Sequence, residues 1–241
     1  MSVSEYDVSL IIPCYNEAPY LSNSLLRIRK VLDNTRFSYQ IILIDDCSED
    51  NTLSIIKDVV KESNNMKYLV HTKNMGRGHT VREGLLFADG KVAGFIDVDL
   101  EVDAHYIPAF ISSILDYHYD VAIGYRFYHL KITLYSALRI IFSFIYRRIV
   151  WNMLKLPCKD TEAGYKFFKM KTTKELIENT YSKKWFWDTE IVANAYMRNL
   201  NIKEIPTVFI RNSSRNSTVK VIRDSWQYLK DLHQFINKNS G

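Results

Sequence analysis

The stretch Gly94-Phe95-Ile96-Asp97-Val98-Asp99-Leu100-Glu101-Val102 is the most informative part of this sequence. It is an apolar run, typical of a buried strand, that ends with an acidic residue at every second position. In an extended backbone alternate side chains point to one side, so we expect Asp97, Asp99 and Glu101 to share a face. Buried charges need partners, and the natural partner here is a hard divalent cation that also binds phosphate oxygens. The alternative is an acidic turn after a core strand.

Similar apolar runs alternate with helical segments through the first half of the chain. Short runs rich in Ile and Val lie at 8–13, 40–45, 68–71, 92–97 and 121–124, and segments of helical period lie between them at roughly 19–33, 51–64, 77–89 and 104–117. This alternation predicts an α/β fold whose central sheet is mostly parallel and is flanked by helices on both faces.

Polar residues follow four of the predicted strands. They are Tyr15-Asn16-Glu17, Asp45-Asp46, the segment 74–78 and Asp97-Val98-Asp99. Parallel α/β sheets bind ligands beyond the carboxyl ends of their strands, so we expect these groups around one crevice. Asp45 and Asp46 are candidates for hydrogen bonds to a ligand. Helix capping is the alternative, but Ser48 and Asp50 already hold the positions of caps for the next helix.

The pattern changes after residue 124. A long, largely apolar helical region covers 130–156, followed by a strand near 164–169, helices near 172–180 and 187–199, a strand at 202–210 and an amphipathic helix at 218–237. No stretch has the composition of a linker, so we expect a single domain over residues 1–241.

The composition is that of an ordinary globular protein. Of the 241 residues, 47% are hydrophobic and 24% are charged, and the formal net charge is +5. This mild positive charge suits an anionic ligand or an anionic bilayer surface, whereas no nucleic-acid-binding motif is found. Cys14, Cys47 and Cys158 lack paired or metal-binding spacing, which predicts reduced thiols in a cytosolic protein. We expect neither a signal peptide nor a membrane span.

Six motifs, in their order and spacing, resemble those of the family-2 glycosyltransferases of the GT-A fold. They are Ile11-Ile12-Pro13-Cys14-Tyr15-Asn16-Glu17, Ile44-Asp45-Asp46-Cys47-Ser48-Glu49-Asp50-Asn51-Thr52, Asn74-Met75-Gly76-Arg77-Gly78, Asp97-Val98-Asp99, Asp160-Thr161-Glu162-Ala163-Gly164-Tyr165-Lys166 and Trp187-Asp188-Thr189-Glu190. Within the family the chain is most similar to the polyprenyl-phosphate glycosyltransferases, the dolichyl-phosphate mannose and glucose synthases. The resemblance covers residues 11 to about 232, and the tract 76–84 leans toward the glucose-transferring branch.

The resemblance implies a Rossmann-like GT-A sheet and a GDP- or UDP-hexose donor. The residues that would bind the donor are Pro13, Tyr15, Glu17, Asp45, Asp46, Gly76, Arg77, Gly78 and Asp97. Gly76 and Gly78 would let the backbone approach the nucleotide sugar, and Arg77 would add positive charge near the diphosphate. Asp99 and Glu101 would ligate Mg²⁺ or Mn²⁺. Asp97 would contact the sugar or ribose, or share the ion.

The acceptor implied by the resemblance is a polyprenyl phosphate, either dolichyl or undecaprenyl. At or near the family positions that bind the lipid phosphate stand Arg126, Arg139, Arg211 and Arg215. A guanidinium suits this role because its fork can meet two phosphate oxygens together.

Three further acids have counterparts in the family. Asp188 joins Asp97 and Asp99 in the predicted catalytic set, with an acceptor-site or structural role, and a helix N-cap is its alternative. Asp160 and Glu162 lie close to where related hydroxyl-transferring enzymes place their base. A glycan or protein hydroxyl acceptor therefore stays open, as does a non-catalytic nucleotide-sugar-binding membrane module.

The two halves of the chain differ in their expected partners. Residues 1–125 would bind the nucleotide sugar, and residues 126–241 would face the acceptor and the membrane. The longest charge-free runs in 130–156 are about seven residues, far short of the roughly 20 needed to cross a bilayer. We expect an interfacial helix or helix pair there, with a buried amphipathic helix as the alternative, and peripheral contact at the cytoplasmic membrane face. The oligomeric state is not predicted.

Overall fold

The computed structural model describes residues 5–128, 148, 153–154, 156–210 and 221–239. The strands in these ranges are β1 (Tyr6–Cys14), β2 (Tyr39–Asp45), β3 (Met66–Val70), β4 (Gly90–Ile96), β5 (Val121–Tyr128), β6 (Tyr165–Lys169) and β7 (Ile202–Phe209). The helices are α1 (Ala18–Asp33), α2 (Thr52–Lys61), α3 (Arg77–Phe87), α4 (Ile107–Leu115), α5 (Met170–Glu178), α6 (Trp187–Met197) and α7 (Val221–Asn239), with a 3₁₀ turn at Ala104–Tyr106. Each predicted strand or helix within the described ranges is present, with small shifts at its ends.

The strands form one sheet in the order β3-β2-β1-β4-β6-β5-β7. Only β6 runs against its neighbours β4 and β5, and the remaining pairs are parallel. The mixed, mostly parallel sheet that the sequence predicts is therefore confirmed. Because β6 is reversed, its beginning lies at the same edge of the sheet as the carboxyl ends of β1, β2, β4 and β5.

Helices cover both faces of the sheet, and alternate strand residues face opposite layers. Leu10 and Ile12 of β1 belong to the layer under α1, α2 and α4, whereas Ile11 belongs to the layer under α3, α5 and α6. Helix α7 lies outside α6, where Phe235 and Leu232 pack against Phe186. Burial on both faces explains why the central strands are nearly continuous apolar runs.

The chain turns immediately after β4, and this corrects the expected geometry of the acidic stretch. The strand ends at Ile96, and the Leu100 N–H donates to the Asp97 carbonyl at 3.3 Å, with Leu100 at φ 50°. Asp97, Asp99 and Glu101 are half-buried, while Val98 and Leu100 are buried. The three acids do not share one face of an extended strand. They lie in a tight turn, so the turn sets the directions of their side chains.

Several predictions concern residues outside the described ranges. Arg139, Arg211 and Arg215 lie there, as does most of the region 130–156. Among the helices of the described ranges, none combines the length and apolar character needed to cross a bilayer.

Candidate functional site

The carboxyl ends of β1, β2 and β4 form the floor of the candidate site. Strand β1 lies between the other two, with Cys14 opposite Asp45 and Ile11 opposite Phe95. The polar residues that follow these strands are consequently neighbours, as the sequence predicts. Pro13 and Tyr15 are half-buried at this edge, and Glu17 is buried.

Asp45 has one carboxylate oxygen that the described residues leave unsatisfied. Its side chain is buried, and Oδ2 accepts the Ser48 N–H at 3.1 Å. Its Oδ1 has no hydrogen-bond partner among the described residues. A buried carboxylate oxygen without a donor is unfavourable, so a ligand with an N–H or O–H group would complete it.

The loops after β1 and β2 hold each other by reciprocal hydrogen bonds. The Asn16 N–H donates to Ser48 Oγ at 3.0 Å, and the Glu49 N–H donates to Asn16 Oδ1 at 2.8 Å. The Glu17 N–H donates to Thr52 Oγ1 at 2.8 Å. Asn16 has φ 56°, a left-handed conformation that asparagine tolerates better than most residues.

Asp50 binds the first N–H of α2, whereas Ser48 does not cap this helix as predicted. The N-cap of α2 is Asn51, which makes no side-chain capping bond. Ser48 instead receives the bond from the loop after β1, and the Asp50 carboxylate accepts the N–H groups of Ala18 and Thr52 at 3.2 and 2.9 Å. Ser48 is thus used by a loop distant in sequence, while Asp50 binds the first N–H groups of both α1 and α2.

Asp46 holds the loop before α3, and its predicted contact with the ligand stays a prediction. Its Oδ1 accepts the Met75 N–H at 2.7 Å, and its Oδ2 accepts the Gly76 N–H at 3.0 Å. His71 Nδ1 lies 2.7 Å from the same Oδ1. Both oxygens of this buried carboxylate are thus used inside the protein.

Gly76 and Gly78 permit close approach to neighbouring protein atoms, and their predicted approach to a ligand stays a prediction. Gly76 has φ 91°, and a Cβ atom there would lie 2.6 Å from the Lys183 carbonyl oxygen. A Cβ atom on Gly78 would lie 2.5 Å from both the Lys184 carbonyl oxygen and Trp187 Cβ. The predicted glycine positions are correct as points of close approach, but the contacts seen are with the segment before α6.

Arg77 binds two carboxylates, and one of them, Asp188, lies in the other half of the chain. Its Nε and Nη2 donate to Asp97 Oδ1 at 3.0 and 2.8 Å, and its Nη1 donates to Asp188 Oδ2. Lys166 Nζ donates to the other oxygen of Asp188 at 2.6 Å. We call these four residues, Arg77, Asp97, Asp188 and Lys166, the Arg77 cluster.

The Arg77 cluster balances two cations against two carboxylates in a buried place. The side chains of Lys166 and Asp188 are 0% and 3% exposed, and that of Arg77 is 13% exposed. Burial disfavours charge on Arg77, but Asp188 and Asp97 outweigh it and raise its pKa further above the ordinary value. Burial lowers the pKa of Lys166, although Asp188 opposes the shift. The Arg77 guanidinium therefore faces Asp97 and Asp188, and its predicted place beside the diphosphate stays a prediction.

Neither Asp188 nor Glu190 caps α6. The N-cap position belongs to Phe186, which makes no side-chain capping bond. Asp188 binds within the Arg77 cluster, and Glu190 accepts the N–H groups of Tyr181 and Ser182 at 3.0 and 2.9 Å. Burial raises the pKa of Glu190. The alternative that Asp188 caps the helix is therefore wrong. The Glu190 carboxylate binds the backbone of the segment before the helix.

Asp97, Asp99 and Glu101 provide only oxygen ligands. Asp97 Oδ1 takes both Arg77 bonds, and Oδ2 lies so close to Gly164 that a Cβ there would be 1.9 Å away. The Asp97 side chain is 41% exposed, and Asp99 Oδ1 accepts the Glu101 N–H at 3.2 Å. Carboxylate oxygens are the type of ligand that a hard cation such as Mg²⁺ or Mn²⁺ prefers. Among the described residues, however, Asp97, Asp99 and Glu101 do not bring three ligand atoms within 4.8 Å of one another.

Arg126 is held by two carboxylates at the neighbouring end of β5. Its Nε and Nη2 donate to Asp160 at 2.7 and 3.0 Å, and Nη2 lies 3.4 Å from Glu162 Oε2. We call these three residues the Arg126 cluster. A phosphate at Arg126, as predicted, would have to compete with both carboxylates.

Lys166 and His71 are site residues that the sequence analysis missed. Lys166 interrupts the buried strand Tyr165–Lys169, and a lysine within such an apolar run is a signal for a buried ion pair. His71 follows β3 and contacts Asp46, but nothing in the local sequence indicates that partner.

Comparison with known proteins identifies a family and several relatives that this chain resembles. The family model described as "Glycosyl transferase family 2" matches residues 9–177. The chain is similar to Glycosyltransferase AglD of Haloferax volcanii, at 23% identity over 90% of this chain and 35% of that protein. It is also similar to the Dolichyl-phosphate beta-glucosyltransferases of Dictyostelium discoideum and Drosophila melanogaster, at 28% and 27% identity over 82% and 83% of this chain. The chain spans 64% and 65% of those two proteins, so it matches only part of each relative.

Solved structures share the fold at lower identity. Glucosyl-3-phosphoglycerate synthase from Mycobacterium tuberculosis, in complex with Mn²⁺, uridine diphosphate and glucosyl-3-phosphoglycerate, has a TM-score of 0.73 at 13% identity, over 97% of this chain and 81% of that one. Mannosyltransferase PcManGT from Pyrobaculum calidifontis, in complex with GDP-Man and Mn²⁺, has a TM-score of 0.62 at 17% identity, over 97% and 65%. TarS of S. aureus in complex with UDP-GlcNAc has a TM-score of 0.61 at 16% identity, over 95% and 66%. At these identities the likeness shows the fold alone.

Proposed function

The chain belongs to glycosyl transferase family 2, and on this premise we propose that it moves a hexose, with inversion, from a nucleoside-diphosphate sugar to a polyprenyl phosphate. The predicted family and the predicted GT-A fold are both confirmed. The names of the relatives from Dictyostelium and Drosophila support a lipid-phosphate acceptor and a β-linked product. The choice between glucose and mannose remains part of the proposal.

The observation that carries the donor site is the fixed position of Asp97. Arg77 holds one of its oxygens, and Gly164 leaves room for the other. Asp99 and Glu101 follow in the same turn, two and four residues later. Since Asp45 presents an unsatisfied buried oxygen two strands away, a nucleoside at Asp45 and a diphosphate at the turn would lie along one edge of the sheet.

Asp99 and Glu101 would hold the predicted cation, with Asp97 sharing it or contacting the sugar. Bound there, Mg²⁺ or Mn²⁺ would offset the negative charge that develops on the departing nucleoside diphosphate. Arg77 holds Asp97 in place through its paired donors. The catalytic set proposed is therefore Asp97 and Asp99, with Asp188 acting through Arg77.

The acceptor phosphate needs orientation more than it needs a base. Its second pKa is near 6, so a phosphate monoester is largely dianionic at neutral pH. One of its oxygens attacks the anomeric carbon as the bond to the diphosphate oxygen breaks, and the nucleoside diphosphate leaves with that electron pair. Arg139, Arg211 and Arg215 remain the proposed phosphate ligands, on the strength of the family resemblance.

A transfer assay tests the proposal. Full-length protein is incubated with labelled UDP- and GDP-hexoses and polyprenyl phosphate, with Mg²⁺, with Mn²⁺ or with a chelator. We expect a lipid-linked product that the chelator abolishes and that Asp99→Asn reduces at least 100-fold, about 2.7 kcal/mol of transition-state stabilisation. Asp103→Asn is the matched control, because Asp103 lies two residues after Glu101 and binds Arg27 and His105 instead.

Two results would contradict the proposal. One is the absence of lipid-linked product with every donor. The other is equal activity of the Asp99→Asn variant, because a cation at this turn would then be unnecessary.

The Arg126 cluster favours a second candidate, transfer to a glycan or protein hydroxyl. A hydroxyl needs a base to remove its proton, and Asp160 and Glu162 provide two carboxylates around one guanidinium. Arg139→Ala separates the candidates: a lipid-phosphate enzyme loses acceptor affinity, whereas a hydroxyl transferase responds little. A non-catalytic module would show neither transfer nor donor hydrolysis.

We also propose that the chain acts as one domain with two tasks. Residues 1–125 would bind the donor, and residues 126–241 would bind the acceptor and contact the cytoplasmic membrane surface peripherally. The Arg77 cluster supports this arrangement, since Asp188 of the second half binds Arg77 of the first and is itself held by Lys166. Flotation with anionic vesicles tests the membrane contact, and failure to float would contradict it.

A further inference from the structure

We propose that His71, His79 and Glu83 form a binding site for a transition-metal dication such as Zn²⁺, distinct from the acids that follow β4. His71 follows the end of β3, while His79 and Glu83 lie one turn apart on α3. Two imidazoles and a carboxylate are a ligand set that proteins use for zinc. The inference concerns metal binding alone and does not depend on the proposed function.

The distances bring the three ligand atoms within reach of one ion. His71 Nε2 lies 2.7 Å from Glu83 Oε2, and His79 Nε2 lies 3.7 Å from the same oxygen. One ligand atom from each residue lies within 4.8 Å of the other two. Ligand bonds of about 2.0 to 2.1 Å in a tetrahedral site place neighbouring ligand atoms about 3.3 Å apart. The observed separations bracket this value, so small side-chain rotations would complete the geometry.

Asp46 gives the arrangement a second feature of histidine metal sites. His71 Nδ1 lies 2.7 Å from Asp46 Oδ1, which leaves Nε2 pointing at Glu83. Metal-binding histidines commonly donate their other ring N–H to a carboxylate, which orients the ring and increases its basicity. Asp46 is itself held by the backbone N–H groups of Met75 and Gly76, so its position is set independently of the ion.

The exposure of the three side chains also suits an incoming ion. The side chains of His71, His79 and Glu83 are 8%, 25% and 43% exposed, so the cluster opens to solvent on the Glu83 side. A water molecule would take the fourth position on the open side.

The two sets of ligands would select different metals. Imidazole nitrogen suits Zn²⁺, Co²⁺ and Ni²⁺, whereas the all-oxygen set of Asp97, Asp99 and Glu101 suits Mg²⁺ and Mn²⁺. An ion at His71 would tie the end of β3 to α3. Through Asp46 it would also stiffen the loop at Met75 and Gly76 beside the candidate donor site.

Metal binding to the stripped, full-length protein tests the site without any sugar donor or acceptor. Calorimetry with Zn²⁺ and visible absorption with Co²⁺ should show one ion bound per chain. His79→Asn and Glu83→Gln should each weaken binding by at least about 10- to 100-fold, the range seen when even an orienting partner is lost. The matched control His105→Asn, which removes an exposed histidine that also contacts a carboxylate, should bind as the wild type does.

A double variant, Asp99→Asn with Glu101→Gln, separates this site from the all-oxygen turn and should keep the bound ion. The proposal is overturned if the wild type binds no stoichiometric ion. It is also overturned if binding survives both His79→Asn and Glu83→Gln, or if it disappears in the double variant. Circular dichroism of the metal-free variants verifies folding, and Glu83→Gln alone suffices should His79→Asn unfold. Failure here would leave the transfer assay, and thus the proposed function, unaffected.

Discussion

The Arg77 cluster and the Arg126 cluster are each built around one arginine and two carboxylates, but the Arg77 cluster also contains a lysine. In both, an arginine predicted to face a phosphate is held by two carboxylates. In the Arg77 cluster the buried Lys166 adds a second cation, and the partners come from α3, from the turn after β4, from β6 and from α6. In the Arg126 cluster both carboxylates come from the short segment at 160–162.

We therefore interpret the Arg77 cluster as a structural crosslink and the Arg126 cluster as a polar group suited to chemistry. The Arg77 cluster pairs its charges and joins distant elements, so its main effect is to fix Asp97 and the packing of α3 against α6. The Arg126 cluster sets one guanidinium against two carboxylates, and Glu162 is 23% exposed. Two carboxylates from one short segment crosslink fewer elements, which suits Asp160 and Glu162 to acceptor chemistry more than to joining distant parts of the fold.

Asp188→Ala should disrupt the Arg77 cluster and cause the largest loss of stability among the variants of the two clusters. It leaves Lys166 and Arg77 buried with less opposing charge, and removal of one partner from a buried pair costs about 3–5 kcal/mol. Urea unfolding of the variant measures the loss. Asp116→Ala, which removes the exposed partner of Arg36, should cost less than about 1 kcal/mol. A loss for Asp188→Ala as small as that of the control would refute the crosslink.

Asp160→Ala should destabilise the protein less than Asp188→Ala does. Arg126 would keep Glu162 as a partner, and its side chain is already 16% exposed to water. The loss of hydrogen bonds from a charged group predicts about 1–3 kcal/mol in the same urea experiment. A loss equal to that of Asp188→Ala would remove the distinction between the clusters.

Arg77→Lys should weaken binding of the nucleoside-diphosphate sugar about tenfold, which corresponds to about 1.4 kcal/mol. Lysine keeps the charge, but its single ammonium group does not span Asp97 and Asp188 as the guanidinium fork does. Calorimetric titration with the donor measures the change. Arg126→Lys is the comparison, and its donor affinity should stay within threefold of the wild type, about 0.7 kcal/mol. Equal weakening by both variants would show that the clusters do not divide donor from acceptor.

Glu162→Gln should have the smallest effect on stability, below about 1 kcal/mol, because its contact with Arg126 is 3.4 Å long and partly exposed. The transfer activity of this variant gives a second measure of the difference between the two clusters. With a polyprenyl phosphate acceptor, transfer should persist, since a dianionic phosphate needs no base. Loss of transfer in a variant of unchanged stability would instead favour the hydroxyl acceptor, with Glu162 as its base.

The sequence alone predicted much of the donor edge of the sheet. Short Ile- and Val-rich runs and the helical segments between them predicted the strands, and polar residues after β1, β2 and β4 predicted where a ligand would bind. The predictions of strands and helices succeeded because strand burial and side-chain periodicity are local properties, whereas the place of the ligand stays a prediction. The roles of Arg139, Arg211 and Arg215 stay predictions, since those residues lie outside the described ranges.

The partners of the charged residues were not predictable in the same way. Arg77 and Asp188 are 111 residues apart in sequence, and Asp46 meets Gly76 across 30 residues. No local pattern indicates that a carboxylate at a strand end will turn inward to a backbone N–H or a distant guanidinium.

The sequence by itself determined the alternation of strands and helices, the family and the positions of the acidic residues, because these depend on residue type and spacing. Only the tertiary structure decided which acids keep a carboxylate oxygen available to a ligand and which are used in holding the protein together. The reason is physical: a buried charge must find its partner in three dimensions, and that partner is supplied by the fold rather than by the neighbouring residues.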